Sequence, residues 1–193
     1  MHGAVVDAQW QGPFAWPGIE SDLPKVPAVP GVYLLTVDHR GGYLVYAAGI
    51  TRRPVPDRLR EHTRQYKDGV YNVLDVDTLR EGVRSVIWQG FWMKERPPER
   101  VAEYAARRAE IGAAVARLLA GFRVFVADVG TRPRVLERIE AAVMNHLYAQ
   151  APPFCDVPDR GMMLAPRRPS EEPITLRSSC GHLLHTLPAS LDI

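Results

Sequence analysis

The sequence predicts an α+β fold in which helices flank a small mixed or antiparallel β-sheet. Two runs of β-branched and aromatic residues, 31–37 and 43–50, lie on either side of the turn sequence DHRGG, and this pattern is typical of a hairpin. Strand-like and helical segments then follow one another along the chain. A hairpin joins antiparallel strands, which a purely parallel doubly wound sheet does not contain. A mixed or antiparallel sheet is therefore the better interpretation.

The segments after the hairpin predict the remaining elements. Val55, Leu59 and Tyr66 recur at helical spacing within residues 54–66, and Gly69 follows them as a stop signal. The later elements are a strand at 83–92, a long amphipathic helix from the prolines at 97–98 to Gly121, a strand at 122–129, a helix at 133–150 and a strand at 174–179.

The domain organisation follows from where the periodic segments begin and end. Residues 30–155 form the predicted domain, in which the helix at about 97–120 is an insertion. Residues 1–29 are rich in Pro, Gly and Trp without a sustained period and are predicted to be an irregular leader. Residues 156–193 are expected to be a C-terminal extension packed on the domain.

Composition limits the class of protein. The chain has 193 residues, 46% of them hydrophobic, and no apolar run of the roughly 20 residues that span a bilayer. With no secretory signal pattern, we expect a cytoplasmic protein without a membrane partner. The two cysteines, Cys155 and Cys180, are expected to be free thiols. A net charge of +2 does not by itself indicate a nucleic-acid binder.

The helix after the hairpin carries a dense group of basic residues. Arg58 and His62 are four residues apart and therefore project from the same side, so they can address one ligand. A guanidinium suits a phosphate because it stays charged and offers a fork of donors. The alternatives are a surface ion pair of Arg58 with Glu61 or Asp57, and a boundary role for His62. The basic residues of this region are Arg52, Arg53, Arg58, Arg60 and Arg64.

Glu140 is the most informative acidic residue. On a helical wheel of residues 135–148 it falls inside the apolar arc, between Leu147 and Met144. A buried carboxylate must be neutralised, paired or bound to a metal, because burying it alone is costly. A pair with an arginine such as Arg58 is the structural alternative to a metal site.

Four motifs resemble the GIY-YIG nuclease family. They are GVY at 31–33, VYAAGIT at 45–51, RLREH at 58–62 and ERIEAAVMNHL at 137–147. The resemblance implies a GIY-YIG-like fold, with Tyr33 as general base, Arg58 on the scissile phosphate, His62 in substrate positioning and Glu140 as the ligand of one Mg²⁺ or Mn²⁺. It covers about residues 30–155.

The sequence also departs from the family pattern. YAAG has one residue more than Y-x-G, so either a bulge makes Tyr46 the second motif tyrosine or Ala47 replaces it. The usual lysine after the second glycine is absent, and Arg52 or Arg53 must supply its charge to the substrate. The usual asparagine is absent too, which leaves Cys155 or Asp156 in its neighbourhood.

The function implied is a divalent-metal-dependent endonuclease that hydrolyses phosphodiester bonds, with DNA as the expected substrate. The departures leave open a nucleic-acid-binding or interaction module on a catalytically inactive scaffold. Cys180, His182 and His185, with distant Cys155, contain zinc-ligand types. Their spacing is unlike that of paired knuckles, so a buried cysteine with ordinary histidines is the preferred interpretation. The helix at 97–121 suits the core or a homodimer face, with the core preferred.

Overall fold

The computed structural model describes residues 4–92 and 95–193. Its strands are β1 (Ala4–Ala15), β2 (Gly31–His39), β3 (Gly42–Thr51), β4 (Val73–Leu74), β5 (Val86–Trp88), β6 (Phe122–Ala127), β7 (Ile174–Cys180), β8 (Leu184–His185) and β9 (Ser190–Asp192). Seven of them form one sheet in the order β8-β3-β2-β6-β1-β7-β9, and β4 pairs with β5 separately. The large sheet is mostly antiparallel, with parallel pairing of β1 with β7 and of β3 with β8.

The helices are α1 (Val55–Lys67), α2 (Val76–Arg80), α3 (Pro98–Ala106), α4 (Arg108–Gly121) and α5 (Pro133–Tyr148). Because side chains alternate along a strand, Tyr33 and Leu35 of β2 face one side of the sheet, where they pack with α1, α2 and α4. Val32 and Leu34 face the opposite side, which α5 covers. None of the helices in the described part of the chain is long and apolar enough to cross a membrane.

The predicted α+β fold class is confirmed. The hairpin turns at Arg40 and Gly41, both at positive φ, as a tight connection between antiparallel strands requires. The helices predicted at 54–66 and 133–150 correspond to α1 and α5, and the strands predicted at 122–129 and 174–179 correspond to β6 and β7.

The prediction that residues 1–29 form an irregular leader is wrong for 4–15. This segment is β1, which lies inside the large sheet between β6 and β7. It pairs in parallel with β7 from Ala4↔Ile174 to Trp10↔Cys180 and then antiparallel with β6 from Gln11↔Val126. The partners are distant in sequence, so no local pattern announces the strand.

The domain limits at 30–155 also cut through the sheet, because β7, β8 and β9 of the predicted extension are strands of it. The single helix predicted at 97–121 is two helices, α3 and α4, which meet at Arg107 with φ −99° and ψ 9°. Ile111 and Val115 of α4 are buried in the core, whereas Val101 of α3 is 45% exposed. The strand predicted at 83–92 extends only over Val86–Trp88.

Candidate active site

One cavity of about 320 Å³ receives side chains from β2, β3, α1 and α5. The predicted residues Arg52 and Arg53 are not in its lining, and Arg53 forms an ion pair with Glu61 at 2.8 Å. The predicted site residues that do line it are Tyr33, Tyr46, Arg58, His62 and Glu140.

A β-bulge places the second tyrosine. Leu35 of β2 pairs with Ala47 and the next residue, Thr36, pairs with Val45, so Tyr46 is the extra residue of β3. Tyr46 therefore enters the same buried cluster as Tyr33. Of the two alternatives for the long YAAG motif, the structure contains the bulge.

The glycine of the same motif makes room for Tyr33. Gly49 pairs with Tyr33 across the two strands, and a Cβ atom built on Gly49 would lie 2.4 Å from the phenolic carbon and from Oη. That separation is far below van der Waals contact, so the ring can lie over the backbone only because residue 49 is glycine.

Tyr33 and His62 form the start of a polar chain. Tyr33 Oη lies 2.7 Å from His62 Nε2, and His62 Nδ1 lies 3.2 Å from the Tyr71 hydroxyl. Burial, and then the charge of Arg58, lower the pKa of His62 to about 3, so the imidazole is neutral and carries one donor and one acceptor nitrogen. Burial also raises the pKa of Tyr33 well above its usual value, against the opposing charge of Arg58.

Arg58 serves two neighbours. Its Nη1 atom lies 3.1 Å from Glu61, so the surface ion pair considered from the sequence is present. The same guanidinium lines the cavity and lies close enough to Tyr33 to oppose the rise of the phenol's pKa. Hydrogen bonds from Arg53 and Arg58 lower the pKa of Glu61 to about 2, which leaves it ionised at neutral pH.

Glu140 lies in the cavity and has no counter-ion among residues 4–92 and 95–193. Burial raises the pKa of its carboxyl to about 7, and the charge of Arg58 and the backbone N–H of Ile50 offset that rise only in part. Arg58 pairs with Glu61 instead, and within residues 4–92 and 95–193 no basic nitrogen lies within ion-pair distance of Glu140. The predicted alternative, a Glu140–Arg58 ion pair, is not formed.

The ligand chemistry of Glu140 fits a hard divalent cation held through one carboxylate. In the described part of the chain, no three His, Cys, Asp or Glu side chains form a cluster that could hold an ion by protein ligands alone. Waters and a substrate phosphate would therefore complete the shell around an ion at Glu140, as is common for Mg²⁺.

The histidines of the considered zinc set take part in ring packing instead. The ring of His182 lies 5.6 Å from that of Tyr43, and the ring of His185 lies 4.9 Å from that of His39.

Asp159 is the acidic residue that sequence reasoning missed. Its carboxylate accepts hydrogen bonds from Tyr46 Oη at 2.6 Å, Asn72 Nδ2 at 2.6 Å and Arg84 Nη2 at 2.5 Å. It lines the cavity, whereas Asp156, the residue singled out from the sequence, is exposed. No motif marks Asp159, because its partners come from three distant segments.

The aromatic residues Tyr71 and Trp92 also line the cavity, and no pattern in the sequence indicated them.

Comparisons with models of protein families, with curated proteins and with solved structures each found no match to this chain.

Proposed function

We propose that the protein is a divalent-metal-dependent endonuclease of the GIY-YIG type, which hydrolyses phosphodiester bonds in DNA. The observation that carries this proposal is the convergence of four groups on one cavity. Tyr33 comes from β2, Arg58 and His62 from α1, and Glu140 from α5, nearly eighty residues further along. The four groups are a phenol, a neutral imidazole, a guanidinium and a carboxylate that has no ion-pair partner in the described part of the chain. This is a set that can hydrolyse a phosphodiester.

In this mechanism Arg58 binds the scissile phosphate. Glu61 holds one nitrogen of its guanidinium, and the guanidinium lines the cavity, so its remaining donors can bind a ligand there. Glu140 would hold the cation. When bound, a divalent ion there supplies positive charge to the phosphate oxygens and favours ionisation of a coordinated water.

Tyr33 and His62 handle the proton. When Nδ1–H of His62 donates to Tyr71, Nε2 is free to accept the Tyr33 hydroxyl proton. The phenolic oxygen then takes a proton from the attacking water as its own proton moves to Nε2, and hydroxide adds to phosphorus. The bond to the leaving oxygen breaks, this oxygen takes a proton from solvent, and His62 returns its proton to solvent. The negative charge that develops on the phosphate favours the imidazolium, which opposes the low pKa of the free histidine.

The test is cleavage of supercoiled plasmid and of branched and single-stranded DNA with Mg²⁺ or Mn²⁺, compared with EDTA. We expect cation-dependent nicking by the parent and a loss of at least about 100-fold in Glu140→Gln and Arg58→Ala. Glu137→Gln is the matched control on α5, because Glu137 pairs with Arg134 and does not line the cavity. Arg60→Ala is the control on α1, where Arg60 pairs with Asp57. Equal activity in Glu140→Gln and the parent would contradict the proposal.

A second candidate is a nucleic-acid-binding module on an inactive scaffold. It is favoured by two engaged groups, since Arg58 pairs with Glu61 and the Tyr46 hydroxyl donates to Asp159. Binding of DNA by a folded parent that nicks none of the substrates would support this candidate over the nuclease.

A further inference from the structure

An aromatic pair lies at the edge of the proposed active site. The rings of Tyr71 and Trp92 have centroids 5.4 Å apart and planes inclined by 46°. Both residues line the cavity of Tyr33 and Glu140, and both also line a neighbouring cavity on the side of α1. The pair therefore forms the wall between the two cavities.

The pair is connected to the proposed catalytic groups. The Tyr71 hydroxyl lies 3.2 Å from His62 Nδ1, and the Tyr71 ring packs 5.5 Å from the imidazole. From His62, the contact continues to Tyr33. A ligand lying against the aromatic pair would consequently lie next to a phosphate held by Arg58.

The backbone holds Trp92 in an unusual conformation. Its φ is 53°, a left-handed value that is a genuine outlier for a bulky residue. Two backbone hydrogen bonds fix this position, from Phe91 N to Gly69 O at 2.9 Å and from Trp92 N to Val70 O at 2.8 Å. Such strain is found mainly at functional sites, where the surrounding structure enforces it.

Trp92 also differs from the other tryptophans of the chain in its exposure. The remaining three are at most 3% exposed, whereas Trp92 is only partly buried. The three buried tryptophans are Trp10, Trp16 and Trp88. A core role thus accounts for these three tryptophans but not for the partial exposure of Trp92.

The surroundings of the pair are basic on one side and apolar on the other. Arg58 and Arg64 line the neighbouring cavity, and its one acidic residue, Glu61, is already paired with arginines. Met162 and Met163 also line the first cavity, and Met163 is fully exposed. This surface offers flat apolar faces next to positive charge, which is the combination that binds unpaired nucleotides.

We propose that Trp92 and Tyr71 form a stacking platform for an unpaired nucleobase next to the scissile phosphate, so that the preferred substrate contains single-stranded or unpaired nucleotides. A base inside a duplex is stacked on its neighbours and cannot present its face to Trp92. This inference rests on the proposed function for the identity of the ligand as nucleic acid. The platform itself makes no use of cleavage, and it can therefore be tested separately.

The experiment titrates the full chain with oligodeoxythymidylate, with oligouridylate of the same length and with duplex DNA, all in EDTA. The readout is tryptophan fluorescence together with anisotropy of a labelled oligonucleotide. Because Trp10, Trp16 and Trp88 are buried, stacking of a base should quench mainly the emission of Trp92. Preference for oligodeoxythymidylate over oligouridylate assigns DNA as the source of the base. Equal binding of these two oligonucleotides shows that the base face alone is recognised.

Two substitutions separate stacking from packing. Trp92→Leu keeps an apolar side chain without a flat ring and should weaken single-strand binding by about 5- to 150-fold with little effect on duplex binding. Trp92→Phe retains a ring and should bind within about threefold of the parent, with the fluorescence change abolished. Leu183→Ala, at the opposite end of the β2–β3 hairpin, controls for loss of exposed apolar surface and should bind as the parent does.

Unchanged single-strand affinity in Trp92→Leu, or equal affinity of the parent for duplex and single strands, would overturn the platform. Because these measurements are made without a cation, a failed nuclease proposal leaves their result intact. A failed platform would in turn leave cation-dependent nicking unaffected in Trp92→Leu.

Discussion

The two sides of the cavity satisfy their polar groups to different degrees. On one side, Asp159 accepts hydrogen bonds from Tyr46, Asn72 and Arg84, so its charge is compensated. On the other side, Glu140 has no ion-pair partner within the described residues, and burial raises its pKa to about 7. The compensated carboxylate stabilises the fold, whereas the uncompensated one retains capacity for a ligand.

The two phenols follow the same division. Burial raises the pKa of both, but the next contribution is the opposing charge of Arg58 for Tyr33 and the reinforcing charge of Asp159 for Tyr46. Of the two phenols, Tyr33 is therefore the one whose ionised form a neighbouring positive charge favours. Tyr46 donates its proton to a carboxylate and is held in the protonated form.

The largest effect that separates the two sides concerns these phenols. Tyr33→Phe should reduce the proposed cleavage by about 10²- to 10⁴-fold, because it removes the group that exchanges a proton with water. Tyr46→Phe is the matched control, since it removes a hydroxyl of the same kind on the neighbouring strand and should retain activity within about tenfold. Single-turnover cleavage with excess enzyme measures both. Equal losses would show that the phenols act as one structural unit.

The next effect is on stability. Asp159→Ala should lower the free energy of unfolding by about 3 kcal/mol, because it leaves the Arg84 guanidinium and two further donors without their acceptor. Asp156→Ala, three residues earlier and exposed, should change it by less than about 0.5 kcal/mol. Urea unfolding followed by circular dichroism tests both, and a stable Asp159→Ala variant would remove the distinction between the two sides.

The smallest effect is a pH dependence that belongs to Glu140. The pKa of its carboxyl is about 7 in the folded protein, above the usual 4.5. At a pH between 4.5 and 7 the folded state therefore retains a proton that the unfolded state has lost. The parent should therefore lose stability relative to Glu140→Gln as the pH rises from about 4.5 to 7, by about 1 to 2 kcal/mol after allowance for partial exposure.

This pH dependence is measured by urea unfolding in EDTA at pH 4.5 and pH 8. Glu137→Gln should show a much smaller change relative to the parent, because Glu137 has a partner in Arg134 and its charge is only the last contribution to the raised pKa of Glu140. If the free energies of unfolding of Glu140→Gln and the parent differ by the same amount at both pH values, the Glu140 carboxylate is not destabilised by burial.

Elements with a strong local pattern could be predicted from the sequence. The alternation in β2 and β3, the DHRGG turn, and the apolar spacing of α1 and α5 depend on neighbours within one element. The helical wheel of α5 also indicated that Glu140 is a site residue, because a charged residue inside an apolar arc must be compensated.

Features that depend on distant partners could not be predicted. The sequence of β1 contains Gly12 and Pro13, which read as loop residues, and only its pairing with β6 and β7 makes it a strand. Asp159 and Trp92 acquire their positions from segments that the chain brings together in space. The break at Arg107 is likewise invisible in the periodicity, since apolar residues continue at helical spacing across it.

The parallel pairing of β1 with β7 has a kinetic consequence. Ala4 is in register with Ile174, so β1 must wait for almost the whole chain before it gains its second neighbour. Contacts between residues so far apart in sequence slow folding. The chain between them loses conformational entropy when the loop closes, before the contact stabilises the folded state. During synthesis, β1 would be an unprotected edge strand open to pairing with other chains until β7 is available.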